Sequence, residues 1–317
     1  MDLREIYRAR SRIRGLVRET PLERSTYLSE LCDGEVWLKL ENQQLTGSFK
    51  IRGALNKLLQ LTGEERRIGV VAASSGNHAQ GVGHAARMLC IDATIVVPSN
   101  TPRVKIEAIE SYGVELIVHG EEYMEAERMA RGMEAEEGKT FVSAYNDTQV
   151  IAGQGTIGLE ILESNPDLDT ILVPVGGGGL VSGMGCAVKA IDEGIEVLGV
   201  QSVASPVMYE SIRRGRIVDI EMEESVAEGL HGGIEEGSVT FEMCREHVDG
   251  FILVQEDTIV EAIADLVQRQ RQVAEGAGAV GVAAIMEDRQ RFRDRRTAVV
   301  VSGGNLDFEF VREALCR

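Results

Sequence analysis

Lysine and positive charge are both scarce in this sequence. Of its 317 residues only six are lysines, and 33 basic residues stand against 51 acidic ones, for a formal net charge of −18. A chain this acidic is repelled by nucleic acid and by anionic membrane surfaces, so neither is expected as a partner.

Cysteine pairs and long apolar runs are missing as well. The five cysteines are dispersed along the sequence, which argues against a disulfide framework or a zinc site and is typical of reduced thiols. No stretch approaches the roughly 18 uninterrupted apolar residues of a membrane helix, and residues 1–5 do not begin an apolar leader. We therefore expect a cytoplasmic protein with no membrane span and no targeting segment. The five cysteines are Cys32, Cys90, Cys186, Cys244 and Cys316.

Short apolar runs alternate with amphipathic stretches through most of the chain, a pattern typical of βαβ units. One series begins with the apolar run Val70–Ala73, and a second begins near Thr148 and ends with Ala298–Val301. The pattern predicts an α/β fold with two lobes, each an open, twisted, mostly parallel sheet flanked by helices.

The two series also predict how the chain is divided. We assign residues 59–145 to a small lobe, and residues 1–58 and 146–317 to a large lobe. Ligands of open α/β sheets bind beyond the carboxyl ends of the strands, so we expect the active site in the cleft between the lobes. Near the amino terminus, Thr20-Pro21-Leu22 is predicted to begin a short helix.

Lys50 differs from the other five lysines in its surroundings. It follows Gly47-Ser48-Phe49 at a predicted helix start, among apolar and small residues, whereas the others lie on strand faces, within helices or in a loop. Desolvation and a nearby helix N-terminus lower the pKa of an ammonium group, which frees the nucleophilic amine that a Schiff-base lysine requires. Taken alone, the stretch also fits an ordinary lysine at a helix start.

Polar turns follow two of the predicted strands. Ser74-Ser75-Gly76-Asn77-His78 leads into a helix and could bind a carboxylate, because N–H groups and hydroxyls at a helix N-terminus form an anion nest. The same residues could equally serve as a helix cap. Ser302, in Ser302-Gly303-Gly304-Asn305, could cap the last helix or point its hydroxyl into the same cleft.

A third turn, Gly176–Gly179, lies between an apolar strand and a helix. Four glycines leave the backbone bare, so its N–H groups can surround a phosphate. No Lys-Ser or Lys-Thr pair follows, which excludes a Walker loop. The next strand ends at Gln201 instead of the acidic residue that a dinucleotide ribose requires, so a monophosphate is favoured.

The remaining polar candidates predict no metal site. The histidines outside the polar turn lack metal-ligand spacing. Glu275 precedes Gly276-Ala277-Gly278 at another predicted helix start, and we interpret it as a cap or an orienting group.

Together these motifs resemble the serine/threonine dehydratase family of fold-type II pyridoxal-phosphate enzymes, which includes serine racemase. The resemblance spans nearly the whole chain, and its six motifs stand in the family's order. They are Lys39-Leu40-Glu41-Asn42, Thr46–Ala54, Ser74–Gly81, Gly153-Gln154-Gly155-Thr156, Gly176–Gly179 and Ser302–Asn305.

The resemblance assigns a role to each candidate residue. Lys50 would carry pyridoxal 5'-phosphate, Phe49 would pack near its ring, and Ser75 would serve as an acid or base on the opposite face. The remaining cofactor contacts would come from Asn77, Asn146, Gly176, Gly177, Gly178, Gly179, Leu180 and Ser302. The substrate carboxylate would be bound by Ser74, Ser75, Gly76, Asn77 and His78. Family members with a divalent cation hold it with carboxylates, and the matching stretch here, Gln201–Val207, has none, so the resemblance implies no Mg²⁺ site.

The activity that the resemblance implies is deamination of L-threonine and L-serine to 2-oxobutanoate or pyruvate and ammonia. A serine racemase, or a dehydratase of another 3-hydroxy amino acid such as hydroxyaspartate, is the alternative, and a homodimer or homotetramer is expected. A non-catalytic nucleotide-binding module is the rival from another class. Only Leu306 to Arg317 follow Asn305, enough for one short helix, so we expect no inhibition by isoleucine through an added domain.

Overall fold

The computed structural model describes residues 1–306, and these contain two sheets with helices on their faces, as the sequence predicts. The strands are β1 (Leu22–Ser25), β2 (Glu35–Leu40), β3 (Val70–Ala73), β4 (Ala93–Val97), β5 (Glu115–Val118), β6 (Thr140–Phe141), β7 (Thr170–Pro174), β8 (Glu196–Ser202), β9 (Gly250–Val254) and β10 (Arg296–Val301). Cys316 lies outside the described residues, and so does the helix predicted beyond Asn305, apart from Leu306.

The helices follow the strands in the predicted alternation. They are α1 (Leu3–Ile13), α2 (Thr26–Cys32), α3 (Lys50–Leu58), α4 (Gly63–Ile68), α5 (Asn77–Leu89), α6 (Arg103–Glu110), α7 (Tyr123–Glu137), α8 (Thr148–Ser164), α9 (Gly179–Ile191), α10 (Val207–Arg214), α11 (Val239–His247), α12 (Glu256–Asp265) and α13 (Gly276–Glu287). Within residues 1–306, no helix is both long and apolar enough to cross a membrane.

The larger sheet has six strands in the order β1-β2-β10-β7-β8-β9, and all neighbours are parallel except β1 and β2. Its centre is apolar: all of β7 is buried, and so is β10 beyond its first residue. Strands covered on both faces read as continuous apolar runs, which explains why the sequence shows them so clearly.

The prediction of a helix beginning at Thr20-Pro21-Leu22 is wrong. Leu22–Ser25 is instead the edge strand β1, paired antiparallel with β2, and the Pro21 carbonyl accepts a hydrogen bond from the Leu40 N–H at 3.0 Å. The helix starts later because the Ser25 hydroxyl, not Thr20, caps it by accepting from the Leu28 N–H at 3.1 Å.

The smaller sheet has four parallel strands in the order β5-β4-β3-β6. All four lie inside residues 59–145, the segment assigned to the small lobe, and the strands of the larger sheet lie outside it. The positions at which the chain passes between the lobes stay a prediction.

A buried ionic cluster lies behind α3. The Arg52 side chain is fully buried and pairs with two buried carboxylates, Glu41 at 2.8 Å and Glu160 at 2.5 Å. Lys39 donates to Glu160 at 2.6 Å and to the Thr20 carbonyl at 2.6 Å. Two cations and two anions therefore balance, and they join α3 to β2 and α8.

Candidate active site

Lys50 is the first residue of α3 and lies where the carboxyl ends of strands from both sheets meet. Its amine donates to the Ala144 carbonyl at 2.9 Å and lies 5.2 Å from the centre of the Phe49 ring. The Phe49 N–H donates to the Ser302 carbonyl at 3.1 Å, just beyond β10. The structure thus brings Lys50, Phe49 and Ser302 together, as the sequence predicts.

The surroundings of Lys50 favour an uncharged amine. Burial lowers the pKa of Lys50 to about 8, and the negative charge of Glu275 opposes this only in part. With that pKa, roughly a tenth of the amines are neutral at pH 7, against well under a thousandth for an ordinary lysine. The group is therefore suited to react with an aldehyde.

Asn77 is held in one orientation by two neighbours. Its amide NH₂ donates to the Glu275 carboxylate at 2.5 Å, and its amide oxygen accepts from the Asn305 side chain at 2.7 Å. Asn305 also donates to the Thr46 carbonyl at 2.7 Å, which fixes its own orientation. These two neighbours use one N–H and the oxygen of the Asn77 amide, so its second N–H is left for another acceptor, for example a ring oxygen.

Of the two roles expected for Glu275, a helix cap or an orienting group, the structure shows the second: its side chain caps no helix N–H and instead orients Asn77. The sequence did not indicate Asn77 as its partner. Burial raises the pKa of this carboxyl to about 7 from an ordinary 4.5. The folded protein therefore keeps a proton that the unfolded chain releases across that interval, and stability is lost as the pH rises through it.

We expect Glu275→Gln to lose this pH dependence. Relative to the wild type, the cofactor-free variant should gain stability from pH 5 to about pH 7 and then level off, because it has no carboxyl to ionise. Urea unfolding at several pH values measures this. Glu136→Gln, at an exposed position, is the control. A difference from the wild type that stays constant with pH would contradict the prediction.

In the turn from Ser74 to His78, the backbone N–H groups can bind an anion, but the His78 ring cannot. No side chain caps α5, so the N–H groups of its first turn are free to bind a carboxylate. His78 donates from Nε2 to the Val142 carbonyl at 2.8 Å, and burial lowers its pKa to about 3. Its Nδ1 is then an acceptor and cannot donate to a carboxylate.

The glycine loop fits a phosphate. Gly178 has φ of +87°, a left-handed conformation that favours glycine. A Cβ at Gly177 would collide with the Tyr145 ring, and one at Gly176 would lie 3.1 Å from Leu230. No side chain caps α9, so the N–H groups from Gly179 and Leu180 onward remain available to an anion.

Two predicted cofactor contacts are already engaged within the protein. The Asn146 side chain accepts a hydrogen bond from the Val239 N–H at 2.9 Å, and it lines a separate polar groove of about 550 Å³. That groove is lined by paired charges such as Lys57 and Asp147, which are 2.8 Å apart. The Ser302 hydroxyl is buried and lies 3.2 Å from the Ala277 carbonyl, to which it donates.

Residues 226–235, in a stretch that sequence reasoning left unassigned, form a strap between the glycine loop and the small lobe. Its Leu230 packs against Gly176 of the glycine loop, and its Glu235 N–H donates to the Tyr145 hydroxyl at 3.0 Å. On the small-lobe side, Lys105 pairs with Glu228 at 2.5 Å and Arg131 with Glu235 at 2.8 Å. Charged residues of both lobes thus meet at the strap.

The described residues contain no group of three or more His, Cys, Asp or Glu arranged to hold a metal ion. In the stretch where a cation site was considered, Gln201 accepts from the Tyr209 N–H at 2.8 Å and donates to the Ser205 carbonyl at 3.3 Å. Side-chain amide hydrogen bonds therefore tie this loop to α10.

Comparison with known proteins agrees with this geometry. The family model for pyridoxal-phosphate dependent enzymes matches residues 13–303. The L-threonine ammonia-lyase of Thermotoga maritima is 45% identical over 311 residues, covering 98% of this chain and 77% of that protein. The L-threonine dehydratase catabolic TdcB of Escherichia coli K12 is 43% identical over 311 residues, covering 98% of this chain and 94% of that protein. Maize serine racemase is 34% identical, with a TM-score of 0.94 over 99% of this chain and 97% of that chain. The chain therefore belongs to the pyridoxal-phosphate-dependent enzymes and has the fold-type II architecture that its motifs predict.

Proposed function

We propose that this protein deaminates L-threonine, and L-serine, to the corresponding 2-oxo acid and ammonia. The observation that carries the proposal is the Lys50 amine, whose pKa burial lowers to about 8, in a cleft between an anion nest and a glycine loop. Relatives more than 40% identical along almost the whole chain are named for threonine deamination.

Different residues around Lys50 are suited to bind different parts of the cofactor pyridoxal 5'-phosphate. The N–H groups of Gly176–Gly179 and Leu180 would bind its phosphate, Phe49 would pack near its ring, and the second N–H of Asn77 would bind its ring oxygen. Ser302 would face the ring nitrogen as a neutral hydroxyl, turning from its hydrogen bond with the Ala277 carbonyl. The bound cofactor supplies an aldehyde that condenses with amines and a conjugated ring that accepts the electrons of the α-carbon.

The protein then supplies orientation and proton transfer. Backbone N–H groups of Ser75, Asn77 and His78 would hold the substrate carboxylate at the start of α5. The free Lys50 amine would remove the α-proton as a general base. The α-proton and the β-hydroxyl lost together make up one water molecule, and hydrolysis of the resulting imine would give 2-oxobutanoate and ammonia from threonine.

A substrate screen tests the proposal. We expect 2-oxo acid release from L-threonine first and L-serine second, with smaller or no release from D-serine and 3-hydroxyaspartate. The purified protein should absorb visible light, and borohydride should abolish that absorbance. A protein that releases 2-oxo acid from 3-hydroxyaspartate but not from threonine would contradict the substrate. A protein that binds no pyridoxal phosphate would contradict the whole proposal.

Racemisation of serine is the second candidate, favoured by the close structural likeness to maize serine racemase. It requires a proton donor on the face of the substrate opposite Lys50, and we assign this role to Ser75. Ser75 lies partly exposed in the turn between β3 and α5.

Ser75→Ala separates the two activities. If Ser75 delivers the proton, D-serine formation and D-serine removal should fall by about a hundredfold or more, while L-threonine deamination falls far less. Chiral chromatography and 2-oxo acid assays measure the two rates. Ser74→Ala is the comparison: Ser74 is assigned to the substrate carboxylate, and its hydroxyl accepts from the Gly76 N–H at 3.2 Å within the turn, so its loss should lower both activities alike. Equal loss of all activities would assign Ser75 to carboxylate binding alone.

We also propose that the protein works in the cytoplasm as a homodimer or homotetramer. Several large apolar side chains are exposed on the single chain, among them Leu45 at 39% and Val273 at 52%. Association of copies would cover them. Sedimentation equilibrium of the purified protein tests this, and a monomer at micromolar concentration would contradict it.

A further inference from the structure

The motif Gly153-Gln154-Gly155-Thr156 lies inside α8 and is not part of the cofactor contacts assigned above. All four of its residues nevertheless contact α3 or α9, the helices that begin at Lys50 and at Gly179. The motif therefore lies between the two functional helix ends.

Three of the four residues face α3. A Cβ at Gly153 would lie 2.5 Å from the Arg52 carbonyl oxygen and 2.6 Å from the Gly53 Cα, so the two helix backbones touch. The Gln154 amide oxygen accepts from the Gly53 N–H at 3.2 Å, and the Thr156 hydroxyl accepts from the Arg52 guanidinium at 3.2 Å.

The fourth residue, Gly155, faces the other way. Residues two positions apart in an α-helix differ by about 200° around its axis, so Gly153 and Gly155 face opposite sides of α8. A Cβ at Gly155 would lie 2.7 Å from the Gly183 carbonyl oxygen, and a Cβ at Gly183 would collide with the Ile151 carbonyl. α8 and α9 thus touch through their backbones as well.

The contact points are placed symmetrically with respect to the site. Gly53 lies about one turn after Lys50 in α3, and Gly183 lies about one turn after Gly179 in α9. Any displacement at either contact is passed along a single rigid turn to the amine or to the phosphate-binding helix end.

We propose that Gly153–Thr156 is a spacer that sets the distance between the Lys50 amine and the N-terminus of α9. Its residues are positioning residues: Gly153, Gln154 and Thr156 place the amine, and Gly155 places the phosphate-binding end. This deepens the proposed function, because it rests on Lys50 and the glycine loop holding the same cofactor.

Single alanine substitutions test each side separately in the full-length protein. Gly155→Ala should weaken binding of pyridoxal phosphate at least about tenfold, since a shift of about 1 Å can cost that much or more. Its binding of pyridoxal, which lacks the phosphate, should change little. Gly153→Ala should instead weaken both compounds alike, and the kcat should fall more than the KM rises.

A readout without cofactor reports on the amine directly. Trace acetylation of the cofactor-free protein over a range of pH, with peptide mass spectrometry, gives the apparent pKa of Lys50. We expect Gly153→Ala to raise that pKa toward the ordinary lysine value, because α3 is pushed away and the amine gains water. Gly155→Ala should leave it unchanged. An effect on folding alone would not separate the two variants in this way.

Gly158→Ala is the matched control on the same helix. A Cβ there would lie 3.3 Å from Ala187 Cβ and from the Met184 carbonyl, a contact that a small adjustment relieves. It should move neither binding constant nor the Lys50 pKa. If Gly153→Ala does not fold, Thr156→Val and Gln154→Met remove the side-chain hydrogen bonds to α3 without adding bulk. They should then shift the Lys50 pKa in the same direction.

The outcomes distinguish this inference from the proposed function. A wild-type protein that binds no pyridoxal phosphate, or that is labelled by borohydride away from Lys50, would overturn the proposed function. A normal wild type with Gly153→Ala, Gly155→Ala and Gly158→Ala behaving alike would overturn only the spacer. So would a Gly155→Ala variant that loses pyridoxal binding as strongly as pyridoxal phosphate binding.

Discussion

Lys50→Ala should fold normally and lose at least about a thousandfold in 2-oxo acid formation from L-threonine, because it removes both the cofactor-carrying amine and the general base. Removing a buried amine leaves no charge unpaired, since the hydrogen bond of Lys50 is to the Ala144 carbonyl and not to a carboxylate. Circular dichroism and 2-oxo acid assays on the same preparation measure the two effects.

Lys57→Ala is the matched control, because Lys57 lies two turns further along α3 and pairs with Asp147 at 2.8 Å, away from the cleft. It should keep most of the activity. Peptide mapping after borohydride reduction identifies the labelled lysine among the six in the chain. A label on any lysine other than Lys50, or substantial activity in Lys50→Ala, would refute its assignment.

Arg52→Met should cost stability on a larger scale than any other single change considered for this chain. The guanidinium donates to both Glu41 and Glu160 while fully buried, so its removal leaves Glu41 without a charged partner and Glu160 with Lys39 alone. Breaking a buried ion pair from one side typically costs about 3–5 kcal/mol. Urea unfolding of the cofactor-free protein at pH 7 gives the free energy of unfolding.

Arg10→Met serves as the comparison, because Arg10 also binds a carboxylate, Glu163, with two of its nitrogens. That pair is much more exposed, and exposed pairs contribute about 0–1 kcal/mol. If Arg52→Met and Arg10→Met lower the free energy of unfolding equally, the buried cluster has no special role in stability. Despite burial, the Arg52 charge holds the pKa of Glu41 below its ordinary value, so lowering the pH far enough to protonate Glu41 should narrow the difference in stability between Arg52→Met and the wild type.

The fold follows from local patterns that the sequence displays openly. Buried strands such as β7 and β10 read as apolar runs, and each is followed by a turn whose residues suit an anion or a helix start. Lys50 stood out because so few lysines compete with it and because its neighbours are small and apolar. The edge strand β1 was missed because its few residues carry no alternating pattern and its partner lies beyond a helix.

The hydrogen-bond partners of individual side chains could not be predicted from local patterns. Asn77 and Glu275 are 198 positions apart, and their hydrogen bond depends on how the two lobes meet. His78 lies in the predicted anion nest, and Asn146 was predicted to contact the cofactor, yet their side chains bind the backbone of Val142 and Val239. Motifs fix which backbone turn reaches the site, whereas side-chain partners depend on distant segments that no local pattern reveals.

The two ion pairs between the small lobe and the strap bear on how fast the enzyme can turn over. Lys105 with Glu228 and Arg131 with Glu235 are partly exposed, so each is weak and is screened further at physiological salt. Breaking both pairs therefore costs little free energy, so they present no large barrier to separating the strap from the small lobe. An opening of the cleft for product release would need only the loss of these contacts and no unfolding of the strap.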